Sequence, residues 1–126
     1  MDIEEKIQAA YKAAKNYPEL AKMLASAGIQ SYTVEVSTST ILYRLSEGEN
    51  HLHLNSAEPR QVRNNFDESL TVKAIRDNQK GKSDYPTFMN DIAKAGVRFY
   101  EATLSGERKR VTYIGRGGYY EEQIPL

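Results

Sequence analysis

At 126 residues, with 40% apolar and 27% charged side chains, the chain has the make-up of one globular domain and not of a disordered tail. Seventeen basic residues balance seventeen acidic ones, so no net field directs it to nucleic acid or an anionic membrane, and any such binding has to be local. With no cysteine it has no disulfide, thiolate metal site or cysteine nucleophile; with no apolar run of about 18 residues and no signal-like start, it is expected to be cytoplasmic and not membrane-spanning.

Ile3, Ile7, Ala10, Tyr11 and Ala14 recur at helical spacing, which predicts a first helix with one apolar face. Asn16-Tyr17-Pro18 ends it and starts another, because proline suits the first turn of a helix and Asn16 can cap it. Leu20, Met23, Leu24 and Ala27 give this second helix its buried stripe, and Gly28 is expected to end it in the left-handed conformation. Alternation then takes over. Tyr32, Val34 and Val36 share one strand face, Thr33, Glu35 and Ser37 the other, and Ile41, Tyr43 and Leu45 alternate again after a short turn, which predicts an antiparallel hairpin. His51–Leu54 extends that hairpin at most, and residues 55–65, with Pro59, read as a polar surface connection.

Beyond residue 65 the same order returns. Leu70, Ala74 and Ile75 mark a third helix, Asp84-Tyr85-Pro86 starts a fourth, Phe88, Ile92 and Ala95 line its buried face, and Gly96 ends it. Tyr100, Ala102 and Leu104 alternate, and Val111–Ile114 returns after a charged turn. A shift of 68 positions lays residues 17–32 on residues 85–100 without a gap, with identities at Tyr17/Tyr85, Pro18/Pro86, Ala25/Ala93, Ala27/Ala95, Gly28/Gly96 and Tyr32/Tyr100. Chance supplies about one identity over such a stretch. The expected fold is therefore α+β: a duplicated helix–helix–strand–strand unit, spanning 1–54 and 66–126, whose four-stranded, mainly antiparallel sheet is backed by about four helices around a pseudo-twofold axis.

The second copy carries the run Gln79-Lys80-Gly81-Lys82-Ser83-Asp84-Tyr85-Pro86-Thr87-Phe88, then Ala95-Gly96-Val97, Tyr100, and Val111-Thr112-Tyr113-Ile114-Gly115. In these motifs the chain resembles the YbcV-like family of uncharacterised bacterial and prophage proteins, sometimes labelled phage-envelope-like. The resemblance implies a bacterial or prophage origin, and it brings no catalytic or binding residues to carry over.

Four tyrosines, Tyr32, Tyr43, Tyr100 and Tyr113, recur at equivalent strand positions of the two copies, which suits core packing or a polar-rimmed aromatic cleft for a ligand near the axis. Arg108, Lys109 and Arg110 with Arg116 make a basic hairpin that could meet an anion, although without aromatic interleaving no nucleic-acid binding is expected. His51 and His53 sit two apart on one prospective strand face; without a fixed third ligand they predict no metal site. Gly115-Arg116-Gly117-Gly118 reads as a turn, since it lacks the lysine and helix start of a phosphate loop. No cofactor and no catalytic constellation is indicated. The residues point to a small non-enzymatic binding or accessory module whose partner is a protein or a small ligand; the alternatives are an enzyme with its site between the copies and a weak anion binder around residues 108–116.

Overall fold

The computed structural model describes residues 2–55 and 58–125; positions 56 and 57 of the predicted connection lie outside the described residues. Ten elements follow in the order α1 (Ile3–Ala13), α2 (Tyr17–Ser26), β1 (Ile29–Glu35), β2 (Thr40–Leu45), β3 (Asn50–His53), α3 (Glu68–Gln79), α4 (Tyr85–Lys94), β4 (Val97–Thr103), β5 (Arg110–Gly115) and β6 (Gly118–Gln123). The α+β class holds, but the four-stranded sheet does not. The sheet has six strands in the order β3-β2-β1-β4-β5-β6, and every neighbouring pair is antiparallel. Each half is helix–helix–strand–strand–strand. The strands missing from the four-stranded expectation, β3 and β6, are the two edges, which complete the sheet without showing apolar alternation.

Local chemistry sets the helix ends. Asp2, Asn16, Asp67 and Asp84 each accept the backbone N–H three residues on, at 2.9, 2.9, 3.0 and 2.9 Å. Pro18 and Pro86 occupy the first turns of α2 and α4. Both helices end at glycines with positive φ, +96° at Gly28 and +85° at Gly96.

The two halves meet where β1 pairs with β4. Thr33 lies directly opposite Glu101, the residue 68 positions later, and donates its hydroxyl to Glu101 Oε2 at 3.5 Å. The Tyr32↔Tyr43 register between β1 and β2 is matched by Tyr100↔Tyr113 between β4 and β5. One face of the sheet carries the core, in which Ile7, Leu24, Val34, Ile75, Ile92, Val97 and Ala102 from both halves join a single cluster. The opposite face is polar at its centre, where Arg44 donates to Ser31 and Thr33 and pairs with Glu101 at 3.8 Å.

The connection between the halves is fastened down along its described part. Arg60 donates its backbone N–H to Ser37 O and its guanidinium to Val36 O and Ser39 Oγ, and Arg63 N–H reaches Ala93 O. Phe66 N–H bonds Arg116 O, and its ring lies against Gly115 and Gly118, where an added Cβ would come within 2.9 Å of ring carbons. The glycines of the 115–118 turn thus make room for Phe66.

Gly28 and Gly96 share a conformation but not a neighbourhood. A Cβ on Gly28 would meet nothing closer than Ser46 Oγ at 4.0 Å, whereas on Gly96 it would fall 2.3 Å from Asn65 O and 2.9 Å from Phe66 Cα. Left-handed strain alone costs about 1–2 kcal/mol, and overpacking against backbone adds about 1–3 kcal/mol. Urea denaturation is expected to show Gly96→Ala losing at least about 1 kcal/mol more than Gly28→Ala. Equal midpoints for the two variants would contradict the packing of residues 65–66 on the end of α4.

Candidate functional site

The tyrosines bring together what the helices and strands place apart. Tyr17 and Tyr85 open α2 and α4 at equivalent positions, and each hydroxyl meets that of a core-facing strand tyrosine: Tyr17 with Tyr32 at 2.5 Å, and Tyr85 with Tyr100 at 3.3 Å. The Tyr32 and Tyr43 rings lie 5.6 Å apart, and those of Tyr100 and Tyr113 lie 5.3 Å apart, both at aromatic-pair contact distance. Tyr11, on the first helix, lies beside Tyr43 in the wall of one opening. Tyr32, Tyr43, Tyr100 and Tyr113 are all buried.

Burial is the main cause that pushes the hydroxyls of Tyr11, Tyr17, Tyr32, Tyr43, Tyr85, Tyr100 and Tyr113 above the ordinary phenol range; the neighbouring tyrosines add to it for Tyr32, Tyr43, Tyr100 and Tyr113. Tyr11 and Tyr85 remain 43% and 44% exposed by area. The Tyr85 ring meets solvent while its hydroxyl turns to that of Tyr100.

Beside this cluster lies a cleft of about 350 Å³ lined by Glu4, Ile7, Gln8, Tyr11, Lys12, Ile41, Tyr43, His53 and Tyr85. Of the four tyrosines singled out by their recurrence, only Tyr43 reaches it; Tyr32, Tyr100 and Tyr113 pack behind. The wall residue that the recurrence misses is Tyr11, which belongs to one half only and reads in the sequence as part of an apolar helix face. His51 and His53 turn toward α1. His51 Nε2 lies 2.6 Å from Glu4 Oε2, His53 Nδ1 lies 3.8 Å from Glu4 Oε1, and Gln8 Nε2 donates to Glu4 Oε1 at 3.2 Å. These contacts, the Gln8 hydrogen bond first and that of His51 next, hold the Glu4 carboxyl below its usual range. Among the described residues no group of three or more His, Cys, Asp or Glu is arranged to hold a metal ion.

On the other half, α3 and β6 are bridged by side chains. Arg76 pairs with Glu122 at 2.6 Å and donates to the Tyr120 hydroxyl at 3.4 Å, Gln79 donates to Glu122 at 3.1 Å, and Tyr120 does the same at 3.1 Å.

The basic hairpin is largely spoken for. Arg108 and Arg110 both pair with Glu121 of β6, Arg110 Nη1 also donates to Arg108 O, and Arg116 donates to Asn65 Oδ1 at 3.2 Å. Lys109 lines a second cleft, of about 270 Å³, with Lys22, Ser26, Ala21, Ala25, Leu104 and Ile124. Of the four expected anion-binding residues, Arg108 and Arg110 meet at Glu121, Lys109 lines the second cleft and Arg116 reaches Asn65.

Fold and cleft together define an α+β protein with one sheet face covered by helices and a tyrosine-lined opening beside α1. The chain belongs to the family described as Protein of unknown function (DUF1398), whose model matches residues 5–118. No curated protein matches it. No helix among the described residues is long and apolar enough to cross a membrane.

The raised tyrosines fix a pH dependence. A phenol whose folded-state pKa lies above its unfolded value contributes stability that is fully present below about pH 10 and is lost as pH rises toward the folded value, because only the unfolded chain can then ionise. On alkaline titration, absorbance of the tyrosinate band is expected to lag far behind that of the chain in guanidinium. It should then rise together with the loss of far-ultraviolet circular dichroism. Full ionisation near pH 10 with the fold intact would contradict the buried hydroxyl cluster.

Proposed function

We propose that the chain is a non-enzymatic binding module whose ligand is a small molecule held in the cleft beside α1. The observation that carries this reading is the cleft itself: it is walled by Tyr11, Tyr43 and Tyr85 from three separate elements, whereas α3 and β6 are bridged by Arg76, Gln79, Tyr120 and Glu122. Its volume is at the small end of ligand pockets, and its lining mixes apolar walls with a few polar groups, as such pockets do.

Two titratable groups of the cleft fit binding better than acid–base chemistry. Tyr43 is pushed up chiefly by burial and Glu4 is held down chiefly by its hydrogen bond from Gln8, so both move away from neutrality, opposite to what general acid–base work at pH 7 requires. We read the chain further as two copies of one ααβββ unit, about 1–54 and 66–126, in a single domain, with one copy keeping an opening and the other bridged. The residue-68 offset between Thr33 and Glu101 supports this. A bacterial or prophage origin of the YbcV-like kind, and a cytoplasmic setting, rest on the resemblance and the cysteine-free composition.

Gln8 is exposed on α1 and lines the cleft, so Gln8→Trp should fill the opening without touching the core. Ligand-observed NMR with a mixture of small carboxylates, amines and neutral metabolites is expected to yield hits for the native protein that Gln8→Trp abolishes. Hits that persist unchanged in the folded variant, or a native protein with none, would overturn the assignment of the cleft.

A further inference from the structure

The charged groups around the cleft are unequal in what they have left to offer. Both oxygens of Glu4 are already engaged, Oε2 by His51 and Oε1 by Gln8 with His53 nearby, so a ligand ammonium would have to displace protein donors to reach them. Lys12 lines the same cleft from the last turn of α1, and among the described residues its ammonium has no ion pair and no side-chain hydrogen bond. One unpaired cation beside apolar walls matches one negative charge; a dianionic phosphate would call for a second, and the other basic group of the lining, His53, already lies 3.8 Å from Glu4 Oε1. The remaining lining is suited to a flat apolar body: Ile7 and Ile41 supply aliphatic surface, and the Tyr43 and Tyr85 rings supply aromatic surface. Tyr11, next to Lys12 in the chain, lines the same opening.

Resting on the ligand-binding reading of this cleft, we propose that its ligand class is a small monocarboxylate with a flat apolar body, its carboxylate held by Lys12 and its body among Ile7, Ile41, Tyr43 and Tyr85. Lys12 is then the specificity-determining residue. Glu4, kept occupied by His51 and Gln8, helps to exclude ligands that carry a second negative charge.

Three probes of one shape and different charge separate this proposal from the reading beneath it: benzoate, benzamide and benzylammonium, titrated into ¹⁵N-labelled protein at low salt and pH 7. Benzoate is expected to shift the amide signals of Tyr11, Lys12 and Tyr85 with a dissociation constant of roughly millimolar order, as suits a fragment of this size. Benzamide and benzylammonium should bind more weakly. Lys12→Met should weaken benzoate about fivefold, the scale of a partly exposed ion pair, and leave benzamide unchanged, while Lys12→Arg restores binding. Since Lys12 is exposed, the variants are expected to keep the fold, which their amide spectra report directly. If benzamide or benzylammonium shifts the same signals as strongly as benzoate, or Lys12→Met binds benzoate as the native protein does, the carboxylate assignment fails and the cleft stands. If none of the three probes moves cleft signals, the proposal falls with the ligand-binding reading it rests on.

Discussion

The antiparallel pairing of β1 with β4 is the contact on which the rest of the molecule depends. It puts Thr33 opposite Glu101 and lays Val34 against Tyr100 and Tyr32 against Ala102, so that the covered face of one half continues into that of the other. A three-stranded sheet with two helices leaves its inner strand edge unpaired and much of its apolar face open. Joining β1 to β4 pairs both inner edges at once and leaves β3 and β6 as the outer edges. The polar network on the uncovered face, Arg44 with Ser31, Thr33 and Glu101, crosses the same seam.

The tyrosine cluster follows from that seam. Because Tyr32 and Tyr100 stand on the two central strands and face the same side, the helix-start residues Tyr17 and Tyr85 can each reach a strand hydroxyl, and the neighbouring strands add Tyr43 and Tyr113. Hydroxyls buried in this way have to bond to something, and here Tyr17 meets Tyr32 and Tyr85 meets Tyr100. Tyr11 extends the cluster outward on one side only, and the cleft opens there. The same arrangement that builds the core thus leaves one polar, aromatic-walled opening at its margin.

Much of this was legible from residues acting locally. Asn16 and Asp84 before Tyr-Pro, and Gly28 and Gly96 after an apolar stripe, mark helix ends through cap and backbone chemistry that does not depend on distant partners. The strand alternation around Tyr32 and Tyr100 reads equally well, because one face of each strand is buried. The edges were harder to see. In Asn50–His53 the polar His51 and His53 turn to α1 while Leu52 is exposed, and in Gly118–Gln123 Tyr120 and Glu122 reach α3 while Glu121 pairs with Arg108 and Arg110, so neither strand has a buried apolar face to show. His51 finds Glu4 across 47 positions of sequence, and Phe66 finds its slot against Gly96, Gly115 and Gly118; no local pattern announces either contact. At the cleft, the recurrence of Tyr32, Tyr43, Tyr100 and Tyr113 in the sequence points to Tyr43, whereas Tyr11 and Lys12 sit on one helix and join the lining only when α1 is laid beside β2 and β3.

Whether the two halves form one cooperative structure through the central pair is decided most directly by native-state hydrogen exchange under increasing urea. The backbone amides of Thr33, Val34, Tyr100 and Glu101, together with those of β2 and β5, should exchange with one free energy and one urea dependence, equal to those of global unfolding. If the amides of one half exchanged through a smaller opening, at lower free energy and with a shallower urea dependence, while those of the other half stayed protected, the shared core around β1 and β4 would be contradicted.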